Sequence, residues 1–199
     1  MLIRIRFNLE HLLQLLQGCA NNNAKSQKEF YDKYLGFVLK ISYRYLNSYE
    51  AAAEAANDSF VKIFKNIWKF EIRDPVNVER LLLGWIKRIV INTSIDYMHM
   101  ELPDWKHRPL QEMELQDSLP RDNADNQLLY KELIELVKRL SPGYRAVFNM
   151  HVIDGYPHHD IARLLGISVG TSKSNLAKAR AFLQKHLVKD DKENVLCFT

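Results

Sequence analysis

The sequence is poor in glycine, proline and cysteine, and it contains no long apolar run. Seven glycines and six prolines in 199 residues are few for a β protein with many short strands and turns. Its two cysteines, Cys19 and Cys197, lie far apart with no Cys-x-x-Cys or Cys/His spacing, so we expect reduced thiols and no metal site. Charges interrupt the apolar residues of 1–16, which therefore match neither a signal peptide nor a membrane span. We expect a cytoplasmic protein without a membrane span.

Apolar residues recur at helical spacing through the first half of the chain. They predict amphipathic helices beginning near Leu9 and ending at Gly18, and then over about 26–46, 50–68 and 78–99. Matching apolar stripes on these helices predict a four-helix bundle over residues 8–100. The outer side of the third helix carries charges at spacing typical of a solvated face with i,i+4 acid–base pairs: Glu54, Asp58, Lys62 and Lys65.

The second half begins with a segment that lacks periodicity. Residues 101–126 carry seven acids against three bases and predict an extended acidic linker. Helical spacing resumes over 127–140, and Ser141-Pro142 is a helix start signal for a further helix through Val152. The predicted fold class is therefore all-α, with a four-helix N-terminal bundle and a second helical domain over 127–189.

Residues 156–185 have the pattern of a DNA-reading helix-turn-helix. A short helix over 158–165 is followed by Gly166 at the turn, and Ser168 can cap a second helix. That helix has one apolar side, and we expect a polar and basic exposed side formed by Thr171, Ser174, Asn175 and Lys178, with Lys173 and Arg180 beside it. A helical hairpin with a solvated face would look similar, but no acid occurs between Ser168 and Gln184, which favours a nucleic-acid interface. His158 and His159 are expected to be solvated.

Four motifs, in order along about residues 12–187, resemble the bacterial sigma factors of the extracytoplasmic-function (ECF) type. They are GCANNNAKSQKEFYDKYLGFV, EAAAEAANDSFVKIFKNI, LLGWIKRIVINTSIDYM and LSPGYRAVFNMHVIDGYPHHDIARLLGISVGTSKSNLAKAR. The resemblance implies a promoter-specificity subunit that binds core RNA polymerase through its β and β′ subunits. It also implies that the bundle captures a base of the minus-ten element and that the C-terminal domain reads the minus-thirty-five element as duplex. The linker is similar to the segment that threads the polymerase product channel.

The resemblance also implies roles for individual residues. Polymerase binding falls on Glu54, Asn57, Asp58 and Lys62, where Asn57 stands in place of the Gln found in most family members. Minus-ten contacts fall on the loop 71–77, with Arg73, and on the stripe Arg88, Asn92 and His99, while Asp96 has a structural role. Minus-thirty-five contacts fall on Thr171, Lys173, Ser174, Asn175 and Lys178.

Two other classes of function compete with a sigma factor. A stand-alone helix-turn-helix regulator would use the N-terminal bundle for sensing or dimerisation, whereas the mixed-charge third helix and the acidic linker suit a large partner better. A nucleic-acid enzyme is disfavoured because the sequence has no carboxylate cluster at metal spacing, no Gly-rich phosphate loop and no nucleophile–base pair. We expect no catalytic residue, no cofactor and no small-molecule substrate. The sequence leaves open whether an anti-sigma factor binds the chain.

Overall fold

In the computed structural model every regular element of the described residues is helical, and the chain divides into two compact units, 1–97 and 98–199. The structure describes residues 2–72, 74, 76–101 and 134–196, and the side chains within 9–100 (except 73 and 75) and 134–186. The predicted all-α fold with two helical domains is confirmed. Most of the predicted linker (101–126) and residues 127–133 of the helix expected after it lie outside the described residues, so the predicted domain boundaries stay predictions.

The first unit is a bundle of four helices around one apolar core. Helix α1 spans Leu2–Ala20, α2 spans Ala24–Leu46 and α3 spans Tyr49–Asn66. Helix α4 spans Val78–Glu101, so its last turn runs past residue 97, where the first unit ends. A 3-10 turn over Ile67–Lys69 extends α3. The core side chains come from all four helices and include Leu12, Phe30, Val38, Phe60, Ile63, Leu82 and Ile86.

Between α2 and α3, one polar residue ends the first helix and the next caps the second, as the sequence predicts. Asn47 has φ 58°, a left-handed conformation that asparagine tolerates, and its N–H donates to the Tyr43 carbonyl. Ser48 then caps α3 by accepting a hydrogen bond from the Ala51 N–H at 3.3 Å. The predicted end of α1 at Gly18 is wrong, because α1 continues to Ala20 and Gly18 instead permits a close approach to Ser26.

The second unit contains the helix-turn-helix. A helical stretch over 134–138 precedes α5 (Pro142–Phe148), which continues as a π-helical turn over Asn149–Ile153. Helix α6 spans His158–Leu165 and α7 spans Val169–Leu196. Gly166 joins α6 to α7 with φ 61°, and Ser168 accepts from the Thr171 N–H at 2.9 Å, so the predicted turn and cap are confirmed.

A buried arginine fixes the chain ahead of the helix-turn-helix. Arg145 is 3% exposed, and its Nη1 donates to the carbonyl oxygens of Lys138 at 3.0 Å and Leu140 at 3.2 Å. Burial lowers the pKa of Arg145 to about 10, so the side chain stays charged at neutral pH. Its two bonds satisfy carbonyl groups at the end of the preceding helical stretch, which would otherwise be costly to bury.

Candidate protein-binding and nucleic-acid interfaces

The outer side of α3 carries the four residues that the sequence assigns to polymerase binding. All four side chains are exposed, whereas Ala55, Ala56, Ser59 and Phe60 on the opposite side are buried: the exposed set is Glu54, Asn57, Asp58 and Lys62. Because α3 uses its apolar side for the core, this polar side is available to a partner. We call these four residues the α3 face.

Neighbouring helices hold three members of the α3 face in place. The Tyr31 hydroxyl of α2 donates to Asn57 Oδ1 at 3.0 Å, and the Tyr97 hydroxyl of α4 donates to Asp58 Oδ2 at 2.8 Å. Lys62 Nζ lies 3.0 Å from Asp96 Oδ2 of α4. The i,i+4 pairing expected between Asp58 and Lys62 is therefore wrong, since each residue bonds to α4 instead.

Helix α4 carries the stripe that the sequence assigns to the minus-ten element. Arg88, Asp96 and His99 are exposed, but Asn92 is half-buried, with its Oδ1 buried and unpartnered among the described residues. Lys62 forms an ion pair with the Asp96 carboxylate, and this positive charge offsets part of the negative charge on the stripe. Arg73 lies outside the described residues.

The loop before α4 is organised by Asp74. Its Oδ1 accepts from the Val76 N–H at 3.0 Å and the Asn77 N–H at 3.3 Å, and its Oδ2 accepts from Asn77 Nδ2 at 2.6 Å. These hydrogen bonds, with that of the Asn77 side chain first, lower the pKa of Asp74. Its carboxylate thus orders the N-terminal approach to α4, a role that the Asp-x-x-Asn spacing before a helix could have indicated.

The outer surface of α7 is polar and basic, as the sequence predicts, with one exception. Lys173, Ser174 and Lys178 are exposed and Thr171 is half-buried. The predicted exposure of Asn175 is wrong: this side chain is only 6% exposed and lies on the packed side of α7. Lys178 Nζ lies 5.8 Å from the centre of the Tyr144 ring of α5, a cation–π distance that places this lysine beside α5.

His158 joins the two helices of the helix-turn-helix, and the prediction that it is solvated is wrong. Its Nδ1 lies 2.9 Å from the hydroxyl oxygen of Ser172, which is fully buried, and its ring stacks on His151 at 4.3 Å. Desolvation, followed by the charges of His151, Lys173 and Arg180, lowers the pKa of His158. No sequence pattern indicates this contact, because it forms only when the π-helical turn, α6 and α7 pack together and bring His151, His158 and Ser172 side by side. His159 is exposed, as predicted.

Metal ligation and membrane insertion have no structural counterpart in the parts of the chain that the structure describes. Over those ranges, no group of three or more His, Cys, Asp or Glu side chains is arranged to hold a metal ion. Every helix there is too short or too polar to span a bilayer. The one described cysteine, Cys19, is buried, and burial raises its pKa to about 11, with the charge of Glu29 as a smaller cause.

A helical bundle with a fixed polar face, followed by a helix-turn-helix with a basic outer helix, is typical of a DNA-binding protein that also has a separate surface for a protein partner. Two families match the chain: sigma-70 region 2 over residues 30–99 and sigma-70 region 4 over residues 130–183. Together they cover more than half of the chain, which belongs to the sigma-70 family and is an RNA polymerase sigma factor of the ECF type.

Curated relatives carry the same description. The chain is 25% identical to the ECF RNA polymerase sigma factor SigW of Bacillus subtilis over 166 residues, 78% of this chain and 86% of the relative. It is 30% identical to the RNA polymerase sigma-E factor of Streptomyces coelicolor over 122 residues, 59% of this chain and 64% of the relative. The solved sigma factor RpoE of Bartonella quintana, in complex with the anti-sigma factor NepR, shares the fold, with a TM-score of 0.51 and 20% identity over 80% of this chain and 97% of that chain.

Proposed function

We propose that the α3 face binds core polymerase while α4 and α7 contact promoter DNA. The observation that carries this proposal is the exposure of Glu54, Asn57, Asp58 and Lys62 on one side of a helix whose other side is buried. Carboxylate and amide groups held on a rigid helix suit a specific protein partner better than a phosphate backbone. The stand-alone regulator receives no comparable support from any observation of the described residues.

We assign the promoter contacts to the basic and polar side chains of α4 and α7. Arg88 and His99 on α4 are proposed for the minus-ten strand, together with Arg73, which precedes α4 in the sequence, and Asn92 is proposed beside them. On α7 we propose Lys173, Ser174, Lys178 and the half-buried Thr171 for the minus-thirty-five duplex, since these side chains combine phosphate-binding cations with groups that can bond base edges. Burial of Asn175 favours a packing role for it. Residues 8–100 and 127–189 are the proposed polymerase-binding and duplex-binding domains, joined by 101–126.

The proposed function has no chemical step of its own. Polymerase supplies catalysis, and the chain supplies the choice of promoter, which places its action in the cytoplasm with the chromosome. An anti-sigma factor is a further proposed partner of the kind that the Bartonella quintana relative binds.

Three variants of the full chain test whether the surfaces are separate. Asp58→Ala should weaken binding to core polymerase by about 2 kcal/mol, because an interfacial charge is lost. Arg88→Ala should weaken binding of polymerase loaded with the chain to single-stranded minus-ten DNA, and Lys173→Ala should weaken binding of the minus-thirty-five duplex. Lys28→Ala, at an exposed i,i+4 pair with Asp32 on α2, is the control. If Asp58→Ala and Lys28→Ala bind core polymerase equally well, the proposed polymerase surface is wrong.

A further inference from the structure

Two tyrosine hydroxyls bond to consecutive residues of the α3 face from two different helices. Tyr31 of α2 donates to Asn57, and Tyr97 of α4 donates to Asp58, at 3.0 Å and 2.8 Å. Residues 31 and 97 lie on opposite sides of α3 in the sequence, so the arrangement requires the folded bundle. The bonds use Oδ1 of Asn57 and Oδ2 of Asp58, which leaves Nδ2 of Asn57 and Oδ1 of Asp58 for a partner.

Tyr31 is held by its own contact to the bundle, and Tyr97 is held through the bond of its neighbour Asp96. The Tyr31 ring packs on the ring of Phe60, with centroids 4.5 Å apart, and Phe60 is 2% exposed in the core. Tyr97 follows Asp96, whose carboxylate bonds Lys62 of α3, so two consecutive residues of α4 reach two residues of α3 that are one turn apart. A hydroxyl that is fixed in this way fixes the rotamer of the side chain that accepts from it.

The choice of tyrosine has an electrostatic consequence. A phenol donates a hydrogen bond to Asp58 without neutralising it, so the carboxylate keeps its charge for a cation of the partner. Lys62, by contrast, is already paired with Asp96. Within the α3 face, Asp58 is therefore an oriented anion, whereas the charge of Lys62 is partly satisfied inside the bundle.

We propose that Tyr31 and Tyr97 are positioning residues for polymerase binding, which hold Asn57 and Asp58 in the conformation that the polymerase recognises. The inference rests on the proposed role of the α3 face. Fixing the two side chains before binding removes ordering cost from association, which raises affinity without a direct contact from either tyrosine. The Tyr97–Asp58 hydrogen bond also connects α4, the proposed minus-ten helix, to the polymerase-binding surface, beside the Lys62–Asp96 pair.

The test uses Tyr→Phe variants of the full chain, which remove only the hydroxyl. We expect Tyr97→Phe to weaken core polymerase binding about tenfold and Tyr31→Phe about three- to fivefold, because a hydrogen bond to a charged acceptor contributes more than one to a neutral acceptor. Both bonds are exposed, so no buried acceptor is left unpaired, and the melting temperature should change by no more than about 2 °C. Tyr49→Phe, an exposed tyrosine at the start of α3, is the matched control and should bind as the unaltered chain does.

A double-mutant cycle separates positioning from direct contact. In an Asp58→Ala background, Tyr97→Phe should have no further effect on binding, and Tyr31→Phe should likewise have none in an Asn57→Ala background. Additive losses would mean that the tyrosines touch the polymerase themselves, which contradicts the proposal. If Asp58→Ala weakens binding but Tyr97→Phe does not, this inference fails and the α3 face stands; if Asp58→Ala has no effect, both fail.

Discussion

Lys178 illustrates how one residue can serve both packing and recognition. Its ammonium lies over the Tyr144 ring while the side chain remains exposed on α7. A cation held on a neighbouring element is well placed for phosphate, which is read without regard to base sequence. The residue should therefore affect affinity and not promoter preference.

For Lys178→Ala we expect a similar loss of binding on every minus-thirty-five sequence. Removing one phosphate contact should also reduce the slope of log affinity against log salt by about one unit. Binding of the full chain, loaded on polymerase, to a set of minus-thirty-five variants at several salt concentrations measures both. A change in the order of preference among the variants would mean that Lys178 reads bases.

The surroundings of His158 predict that the stability of the second unit depends on pH. The pKa of His158 is lowered in the folded state. As the pH falls, His158 is therefore protonated in the unfolded chain, near the ordinary histidine pKa of about 6.5, before it is protonated in the folded chain. The sign follows directly: stability is full above about pH 6.5 and falls as the pH drops below it, because protonation favours the unfolded state. The bond to buried Ser172 ties this effect to the α6–α7 packing.

The pH effect can be measured by hydrogen exchange of the α5–α7 amides in the full chain between about pH 7.5 and 5.5. His158→Asn keeps a side-chain hydrogen-bonding group near Ser172 but does not titrate, so it should reduce the loss of protection at low pH. His159→Gln, at the exposed neighbouring position, should leave the loss unchanged. Equal pH profiles for all three chains would contradict the assignment.

At the scale of elements, Arg145 links the helical stretch over 134–138 to α5. It is a buried cation that donates to two backbone carbonyls, and removing one side of such a buried interaction is costly. The helix-turn-helix depends on this link because α5 packs on α7.

Arg145→Met should destabilise the second unit by about 2–4 kcal/mol, because the carbonyls of Lys138 and Leu140 lose their donor. Arg163→Met is the matched control: Arg163 forms an exposed i,i+3 pair with Asp160, and such pairs contribute about 0–1 kcal/mol. Denaturant unfolding of both variants, followed by hydrogen exchange in α5–α7, provides the comparison. Similar losses from the two variants would show that Arg145 has no special structural role.

Periodicity predicted the elements better than it predicted their contacts. The bounds of α6, the Gly166 turn and the Ser168 cap follow from local signals that act within a few residues. Asn175 and His158 were misplaced, because their burial depends on packing between α5, α6 and α7, which no local pattern encodes. The same reason explains why the exposure of the α3 face was predictable whereas its bonds to Tyr31 and Tyr97 were not.

At the scale of the whole molecule, two compact units can divide the work between two DNA elements. We expect residues 8–100 alone to bind core polymerase and to show little affinity for duplex DNA, because that domain is proposed to read a base only after it has left the stack. Residues 127–189 alone should bind minus-thirty-five duplex weakly and with a strong salt dependence. The joined chain should bind promoter more tightly than either part through effective concentration.

The proposed division of labour is tested by measuring each half against core polymerase and against duplex promoter. An N-terminal half that ignores polymerase and instead dimerises or binds a small molecule would support the stand-alone regulator. A C-terminal half whose duplex binding does not depend on salt would contradict the phosphate contacts proposed for α7.

The most direct measurement of the central claim is transcription in vitro by core polymerase on genomic fragments, with and without the full chain. The account predicts that adding the chain produces discrete transcripts from a limited set of start sites, and that Asp58→Ala reduces them in proportion to its loss of polymerase binding. Transcripts that are unchanged by the chain at concentrations that saturate core polymerase would contradict it.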